Sequence, residues 1–258
     1  MTPTPPTPNQ HNTASPHPTL PDYYAAAEKK RSFVRDIFNR TAPDYDRVER
    51  MLAFGSGPWY RRRALNRSGL REGMQVLDVA TGTGLVTREA MAIVGSSGHV
   101  IGLDPSLGML SEARRALSFD ALLGRAEQLP LGNAQFDFLS MGYALRHVTD
   151  LDATFREYFR VLKPGGRVCL LEITRPRGRL ALLALGFYMK GIVPLATRFL
   201  TGHRDTALLM EYYWDTIAAC VPPETILAGL TRAGFENVQR YTELGIFSEY
   251  TGTKPAGA

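Results

Sequence analysis

Residues 74–87 read Met-Gln-Val-Leu-Asp-Val-Ala-Thr-Gly-Thr-Gly-Leu-Val-Thr, and they carry the clearest structural pattern in the chain. An apolar run ends in an acid, a glycine-rich turn follows, and a helical pattern then extends over residues 85–94. The pattern predicts a buried strand, a tight turn and a helix N-terminus. Because Gly82 and Gly84 have no Cβ, a ligand can approach the backbone of this turn closely.

A second acid supports a nucleotide site at this turn. The next predicted strand, residues 99–103, is followed by Asp104. A carboxylate about 20 residues beyond the glycine turn binds ribose hydroxyls in nucleotide-binding βαβ units. The turn alone is not specific, because its Gly-x-Gly spacing lacks the third glycine of the dinucleotide fingerprint, and many α/β turns carry glycines for geometry only.

The rest of the chain continues to alternate between helix and strand, which predicts an α/β fold. We expect a Rossmann-like, doubly wound, mostly parallel sheet with a C-terminal antiparallel hairpin and a helical lid. The predicted elements are helix 109–117, strand 121–125, strand 136–142, helix 150–162, a turn at 163–166, strand 167–173, helix 223–233, and a hairpin of 238–242 and 246–253.

Three segments are predicted from composition. Residues 1–27 form a Pro/Thr-rich tail, and they are expected to be disordered because residues 1–21 have few apolar and no charged side chains. Residues 28–72 form a basic helical arm with 12 Lys or Arg against 6 Asp or Glu. Residues 73–254 form the main domain, with a lid insertion at about 177–222.

The basic arm leaves two kinds of partner open, nucleic acid or an anionic membrane surface. No aromatic platform is interleaved with its Arg61-Arg62-Arg63 run, so no nucleic-acid partner is predicted, and a solvated helix face is favoured for the run. Two cysteines, Cys169 and Cys220, give neither a disulfide framework nor a metal cluster. A cytoplasmic location and no metal are therefore expected, and a homodimer is left open.

Residues 180–200 are nearly all apolar and have about the length of a membrane span. Lys190 lies at the centre of the stretch and Pro194 follows, which disfavours a simple span. Two short amphipathic helices that cover an apolar pocket are favoured. A lid that also makes peripheral contact with a membrane is the alternative.

The order of these motifs resembles that of class I S-adenosylmethionine-dependent methyltransferases. More narrowly, residues 33–253 resemble the ubiquinone/menaquinone C-methyltransferase (UbiE-type) family. The glycine loop and Lys163-Pro164-Gly165-Gly166 are shared by many methyltransferases. The narrower markers are the arm that ends in Tyr45-Asp46 and the segment Ala144-Leu145-Arg146-His147-Val148.

The resemblance implies S-adenosylmethionine as cofactor and assigns its contacts. It places Asp104 on the ribose, Met109 beside the adenine, and Gly142 below the sulfonium. Asp78 would orient the loop and the cofactor amine through water. The remaining positions are the loop residues that border the methionine part, Gly82, Thr83 and Gly84, and the residues at the adenine edge, Arg125 and Ala126.

The family's reaction implies methyl transfer to an apolar phenolic or quinol-like small molecule, with carbon as the favoured acceptor. Tyr45 and Arg146 would assist at the substrate hydroxyl, and we interpret Arg146 as a group that stabilises the oxyanion, because arginine does not readily lose its proton. His147 stands where the family has asparagine, and it is either a general base or a histidine at the surface or at a helix cap. The alternatives are O-methylation of a hydroxylated lipid or secondary metabolite, and an inactive cofactor-binding partner of a biosynthetic complex.

Three stretches depart from the family pattern, so the resemblance specifies the methyl donor more closely than the acceptor. Val48-Glu49 replaces Met-Asn, and residues 53–58 replace a Ser-x-Gly-x-His-Arg stretch. Residues 210–216 carry aromatic rings that are either pocket walls or core, and core is slightly favoured. Glu211 and Asp215 lie at i, i+4 in that stretch, where a solvated pair is favoured over an alternative base.

Overall fold

The computed structural model describes residues 15–52, 55–176 and 178–257, and its strands form a seven-stranded sheet with helices on both faces. The strands are β1 Gln75–Val79, β2 His99–Asp104, β3 Asp120–Leu123, β4 Phe136–Gly142, β5 Leu162–Ile173, β6 Glu236–Glu243 and β7 Phe247–Thr253. The helices are α1 Ala27–Leu52, α2 Gly57–Arg67, α3 Leu85–Val94, α4 Leu107–Ala116, α5 Leu151–Val161, α6 Arg179–Phe187, α7 Val193–Thr201, α8 Arg204–Ala219 and α9 Pro223–Arg232.

The strand order is β3-β2-β1-β4-β5-β7-β6. Neighbouring strands pair in parallel from β3 to β5, and β7 is antiparallel to both β5 and β6. The Rossmann-like prediction, with its C-terminal antiparallel hairpin, is confirmed. The order reverses between β1 and β4, and ligands bind at such a switch point beyond the carboxyl ends of the strands.

The central strands are apolar because both faces of the sheet are covered. Val76, Leu77 and Val79 of β1 are fully buried, and so are Phe138 and Leu139 of β4. This packing fixes the carboxyl ends of β1 and β4 beside each other, with Val79 opposite Met141 in the parallel register. The loops that leave these two strands are therefore neighbours.

The lid differs from the expected pair of short helices. Helices α6 and α7 are joined by a π-helical turn, Tyr188–Ile192, without an intervening loop. A π turn accommodates the missing N–H of Pro194 within the first turn of α7. By length and composition Arg179–Thr197 could cross a membrane, with mean hydropathy 1.6, although 22% of that window is buried inside the protein. Helix α8 runs back and completes the lid.

The disorder predicted for residues 1–27 is wrong for the part of that tail that the structure describes, while residues 1–14 lie outside it. The carbonyl of Pro16 accepts a hydrogen bond from the Val221 amide at 2.8 Å. Tyr24 is buried, and the Tyr23 ring packs edge-on against Tyr212 at 5.1 Å between centroids. The average composition of the tail is polar, but the two aromatic rings at its end pack against the folded protein and hold it in place.

Another boundary differs where the sequence predicted a turn. Residues 163–166 belong to β5, which begins directly after α5. The strand is irregular here: its register against β4 shifts between Phe136 and Phe138, and Gly165 has a φ of +79°. The glycines thus shape a bulged strand start, because hydrogen bonds to Lys254 hold this segment to the end of the C-terminal hairpin.

Candidate active site

Two cavities meet at the carboxyl ends of β1 and β4. The first has a volume of about 440 Å³ and lies over the glycine turn and Asp104. The second has a volume of about 310 Å³ and lies between α1, α2 and the lid. Both cavities are lined by Tyr45, Ala80, Gly82, Gly142, Tyr143 and Tyr213.

Left-handed backbone shapes the junction between the cavities. Gly82 has a φ of +58°, and the non-glycine residues Ala80 and Tyr143 have values of +55° and +60°. Such conformations cost about 1–3 kcal/mol in residues with a Cβ, and they cluster at functional sites. Neither Ala80 nor Tyr143 was singled out from the sequence, because φ is fixed here by the loops that leave β1 and β4.

Asp78 holds the glycine turn from beneath. Its carboxylate is fully buried and accepts hydrogen bonds from the hydroxyls of Thr87 at 2.6 Å and Ser140 at 2.7 Å. Burial raises the pKa of Asp78, and these bonds oppose the rise. Asp78 lines neither cavity. Its hydrogen bonds therefore support the glycine loop, which is one of the two roles expected for it.

Asp104 lies in the wall of the first cavity and ties two loops together. Its Oδ2 accepts a hydrogen bond from the Gly82 amide, and its Oδ1 accepts one from the Ser106 amide, both at 2.8 Å. Burial raises the pKa of this carboxyl to about 6, although both amide bonds lower it. Each oxygen keeps a further lone pair, so the group can still accept two ligand hydroxyls.

The other residues assigned to the cofactor divide between several places. Met109, Arg125, Ala126 and Gly142 line the first cavity, as the resemblance implies. Thr83 lines the second cavity and donates a hydrogen bond to Asp46. Gly84 lines neither cavity and instead caps α3 in a left-handed conformation, where a Cβ would lie 2.8 Å from Leu117 Cδ1.

Helix α1 closes the first cavity, and this wall was missed in the sequence. Val34, Arg35 and Phe38 line the cavity from above. Asn39 fixes the position of the helix, because its Oδ1 accepts hydrogen bonds from Ser106 Oγ at 2.7 Å and from the Gly108 amide at 2.9 Å. The sequence signal was weak, since these contacts join segments almost 70 positions apart.

The first cavity fits S-adenosylmethionine. A Cβ built on Gly82 would meet no protein atom within 4 Å, so a side chain there would fill cavity space that the bare backbone leaves to a ligand. Asp104 offers the acceptor pair that ribose hydroxyls require. Met109 and Ala126 supply the apolar surface expected beside an adenine.

The second cavity is walled mainly by apolar and aromatic side chains from distant segments. Leu185, Tyr188 and Met189 contribute from the lid, and Phe247 contributes from the C-terminal hairpin. Trp59 also lines it and is largely exposed, as is Leu244. The cavity therefore suits an apolar ring, and apolar groups continue to the protein surface.

A tyrosine pair and a buried arginine stand at the junction. The Tyr213 hydroxyl donates to the Tyr45 oxygen at 2.9 Å. Burial raises the pKa of Tyr45, while the Tyr213 bond and the nearby Arg146 lower it. Tyr45 is thus a neutral phenol at neutral pH, and its hydroxyl can donate a hydrogen bond to a ligand oxygen.

Arg146 is only 1% exposed and is held from several sides. Its Nη1 donates to Glu172 Oε2 at 2.8 Å and to the Tyr143 carbonyl at 2.6 Å, and its Nε donates to Thr216 at 3.2 Å. The guanidinium carbon lies 4.8 Å from the centroid of the Tyr213 ring. Arg146 therefore supplies a fixed positive charge beside the tyrosine pair.

His147 lies in neither of the two settings expected for it. It lines the first cavity and stacks on Tyr212 with 5.4 Å between centroids, so it is not a surface residue. Burial lowers its pKa well below the usual value, and the charges of Arg146 and Lys30 lower it further. The lowered pKa makes His147 a poor general base near neutral pH. Its buried Nε2 has no hydrogen-bond partner among the described residues.

Two further expectations on charged residues need correction. Arg61 is not solvated: it is buried, pairs with Glu49 and lines the second cavity, whereas Arg62 and Arg63 of the same run are exposed. Asp215 is not a solvated partner of Glu211 either. It accepts a hydrogen bond from Tyr23 and pairs with Lys190, both at 2.7 Å.

The aromatic stretch splits between the two roles left open for it. Tyr212 is fully buried in the core beneath the lid, in agreement with the favoured interpretation. Tyr213, the next residue, lines both cavities and is a pocket wall. Successive residues on a helix point about 100° apart, so one amphipathic helix serves both purposes.

Comparison with known proteins identifies relatives over most of the chain. The model of the ubiE/COQ5 methyltransferase family matches residues 25–254. The chain is 33% identical over 237 residues to the ubiquinone/menaquinone biosynthesis C-methyltransferase UbiE of Shewanella sp. strain ANA-3, covering 88% of this chain and 93% of that protein.

Solved structures support the fold. A SAM-dependent methyltransferase of Thermotoga maritima, described as a possible histamine N-methyltransferase, aligns with a TM-score of 0.61 and 22% identity over 85% of this chain and 99% of that one. A Haemonchus contortus phosphoethanolamine N-methyltransferase 2 in complex with S-adenosylhomocysteine gives a TM-score of 0.62 and 17% identity over 86% of this chain and 60% of that one.

Proposed function

Since the chain belongs to the ubiE/COQ5 methyltransferase family, we propose that it methylates a ring carbon of an apolar phenol or quinol. It is a methyltransferase enzyme with S-adenosylmethionine as its cofactor. The observation that carries the proposal is the shared wall of the two cavities, where Gly82 and Gly142 bring the cofactor cavity against an apolar one. An aromatic ring in the second cavity lies within reach of a methyl group presented from the first.

The protein contributes to the reaction mainly through the position of the substrate and the environment around it. S-adenosylmethionine supplies an electrophilic methyl group, so the protein must orient a nucleophilic carbon in line and exclude water. A ring carbon becomes nucleophilic when a neighbouring hydroxyl has released its proton to solvent, and the methylated carbon then loses its own proton to solvent as the ring regains aromaticity. Tyr45 donates a hydrogen bond to that oxygen, and Tyr213 fixes the Tyr45 hydroxyl in the required orientation.

Arg146 completes this oxyanion site as a positioned charge. Its bonds to Glu172 and Tyr143 hold the guanidinium in one place, so it does not need to reorganise when the oxygen becomes anionic. His147 is assigned a packing role in the wall of the cofactor cavity. The name of the Shewanella relative, a C-methyltransferase of quinone biosynthesis, supports carbon as the acceptor atom.

Product analysis tests the proposal. The purified protein is incubated with methyl-labelled S-adenosylmethionine and a 2-prenyl-1,4-naphthohydroquinone under nitrogen, and the product is examined by NMR and mass spectrometry. A new methyl group on ring carbon is expected, and Tyr45→Phe should slow its formation. A methoxy product would instead establish O-methylation, and the absence of any product with quinols and phenols would refute the proposal.

The same proposal includes a cytoplasmic location with peripheral membrane contact. Leu183 and Phe187 on the outer face of α6 are 69% and 70% exposed, and Trp59 and Leu244, which line the second cavity, are also exposed. A patch of this kind fits a lipid surface that contains an apolar substrate. In sedimentation with anionic phospholipid vesicles, Leu183→Gln/Phe187→Gln should lower binding, whereas Leu123→Gln, which alters an exposed leucine elsewhere, should not. Equal binding of both variants would refute membrane contact through this face.

A further inference from the structure

An ion pair lies in the wall of the second cavity, among mainly apolar and aromatic side chains. Glu49 follows Tyr45 by one helical turn of α1, so both side chains face the cavity. Arg61 reaches the same place from α2, and its Nη2 donates to Glu49 Oε1. The Glu49 side chain is 22% exposed and the Arg61 side chain is 3% exposed. Charged side chains are seldom buried to this extent unless they are paired.

The pair leaves a donor and an acceptor unused. Arg61 Nε is buried and has no hydrogen-bond partner among the described residues. Glu49 makes its contact with Arg61 through Oε1, and none of the hydrogen bonds among the described residues uses its Oε2. A buried N–H without a partner costs about 1–3 kcal/mol, and a ligand bound in the cavity can supply the partner for Arg61 Nε.

The chemistry of the pair selects the ligand group. A carboxylate oxygen requires a donor, an arginine N–H requires an acceptor, and the two opposite charges cancel. A neutral hydroxyl satisfies both at once, because its O–H donates to Glu49 and its oxygen accepts from Arg61 Nε. An ether or a ketone oxygen would leave the carboxylate unsatisfied.

We propose that the Glu49–Arg61 pair is a hydroxyl-binding subsite that recognises the second ring hydroxyl of the acceptor. This inference rests on the proposed function, which places the first hydroxyl at Tyr45. Tyr143 contacts an arginine of each site: its ring centroid is 5.9 Å from the guanidinium carbon of Arg61, and its carbonyl accepts a hydrogen bond from Arg146, the arginine beside Tyr45. A ring with two hydroxyls can therefore be held at both of its oxygens.

The local sequence is adapted to this pair. A Cβ on Gly57 would lie 2.6 Å from Glu49 Oε1 and 2.7 Å from Arg61 Nη1, so a larger residue there would displace the ends of both side chains. Glu49 and Gly57 fall in two stretches where the sequence departs from the family pattern. The subsite thus marks a substrate preference that belongs to this chain.

A binding comparison tests the subsite without turnover. With S-adenosylhomocysteine present and oxygen excluded, calorimetry measures the affinities for 1,4-dihydroxynaphthalene and for its monomethyl ether, 4-methoxy-1-naphthol. The wild type should bind the diol at least about tenfold more tightly, as expected for one charge-assisted hydrogen bond. Glu49→Gln and Arg61→Met should reduce this preference to about twofold or less. Arg62→Gln is the matched control, since Arg62 is 58% exposed and pairs with Glu89 outside the cavity.

Each other outcome has a definite meaning. An unchanged preference in Glu49→Gln, or no preference in the wild type, overturns the subsite. If both variants weaken the two probes equally and melt at a lower temperature, the pair is structural only. If Glu49→Gln and Arg61→Met lower the preference for the diol but no methylated product forms, the subsite stands and the proposed reaction is refuted. If the ring is methylated but neither variant changes the preference, the reaction stands and the subsite is refuted.

Discussion

Replacement of Asp104 by asparagine tests the assignment of the cofactor cavity most directly. The carboxylate accepts the amides of Gly82 and Ser106 on separate oxygens, and both oxygens have lone pairs left for ribose hydroxyls. Asparagine has nearly the same shape but offers only one acceptor oxygen. Its NH₂ group must then face one of the two backbone amides, so one hydroxyl contact is lost.

The magnitude follows from the lost contact and from the pKa. A hydrogen bond to a charged group is worth about 1.5–3 kcal/mol, so Asp104→Asn should weaken binding of S-adenosylhomocysteine about 10- to 100-fold at pH 7. Burial raises the pKa of the wild-type carboxyl to about 6. If the ligand binds the ionised form, wild-type affinity should fall about tenfold from pH 7 to pH 5, because most of the free protein is then protonated at Asp104.

Isothermal titration calorimetry between pH 5 and 7.5 provides both measurements. The asparagine variant has no titrating carboxyl at position 104, so its weaker affinity should be independent of pH. Asp120→Asn, at an exposed acid on β3, should retain the affinity and the pH dependence of the wild type. A wild-type affinity that stays constant down to pH 5, or a variant that binds as tightly as the wild type, would refute the role given to Asp104.

Three further substitutions test the surroundings of the site. Tyr213→Phe should lower kcat for methyl transfer about tenfold without changing cofactor affinity, because it removes the bond that orients the Tyr45 hydroxyl; unchanged kinetics would exclude the pair from catalysis. Gly142→Ala should destabilise the protein by about 1–3 kcal/mol, since the new Cβ lies 2.6 Å from Val86 Cγ2, and adding Val86→Ala should recover most of the loss in thermal unfolding. Burial lowers the pKa of Lys30 to about 8, so between pH 8 and 10.5 the unfolded chain holds a proton that the folded protein has released. The stability of the wild type relative to Lys30→Met should therefore rise by about 3 kcal/mol across that window, and a fall would contradict the buried position.

The parts of the fold that sequence reasoning located were those specified by local patterns. Helix α3 has the bounds predicted for it, and β4 was placed correctly, because apolar periodicity and glycine punctuation act within a few residues. The same patterns brought Asp104 and the glycine turn to one sheet edge. Where the prediction relied on average composition, as in residues 1–27, it missed two tyrosines that pack under the lid.

The acceptor cavity was beyond local patterns for a physical reason. Its walls come from α1, α2, the lid and the C-terminal hairpin, segments that meet only after the sheet has assembled. The Arg61-Arg62-Arg63 run illustrates the difficulty, since three identical residues end in different environments and only Arg61 turns inward to meet Glu49. The sequence could show that Glu49 was unusual for its family, but not what it faces. Local glycine and acid motifs were therefore enough to predict a site for the methyl donor, whereas the second cavity is formed by contacts between distant segments.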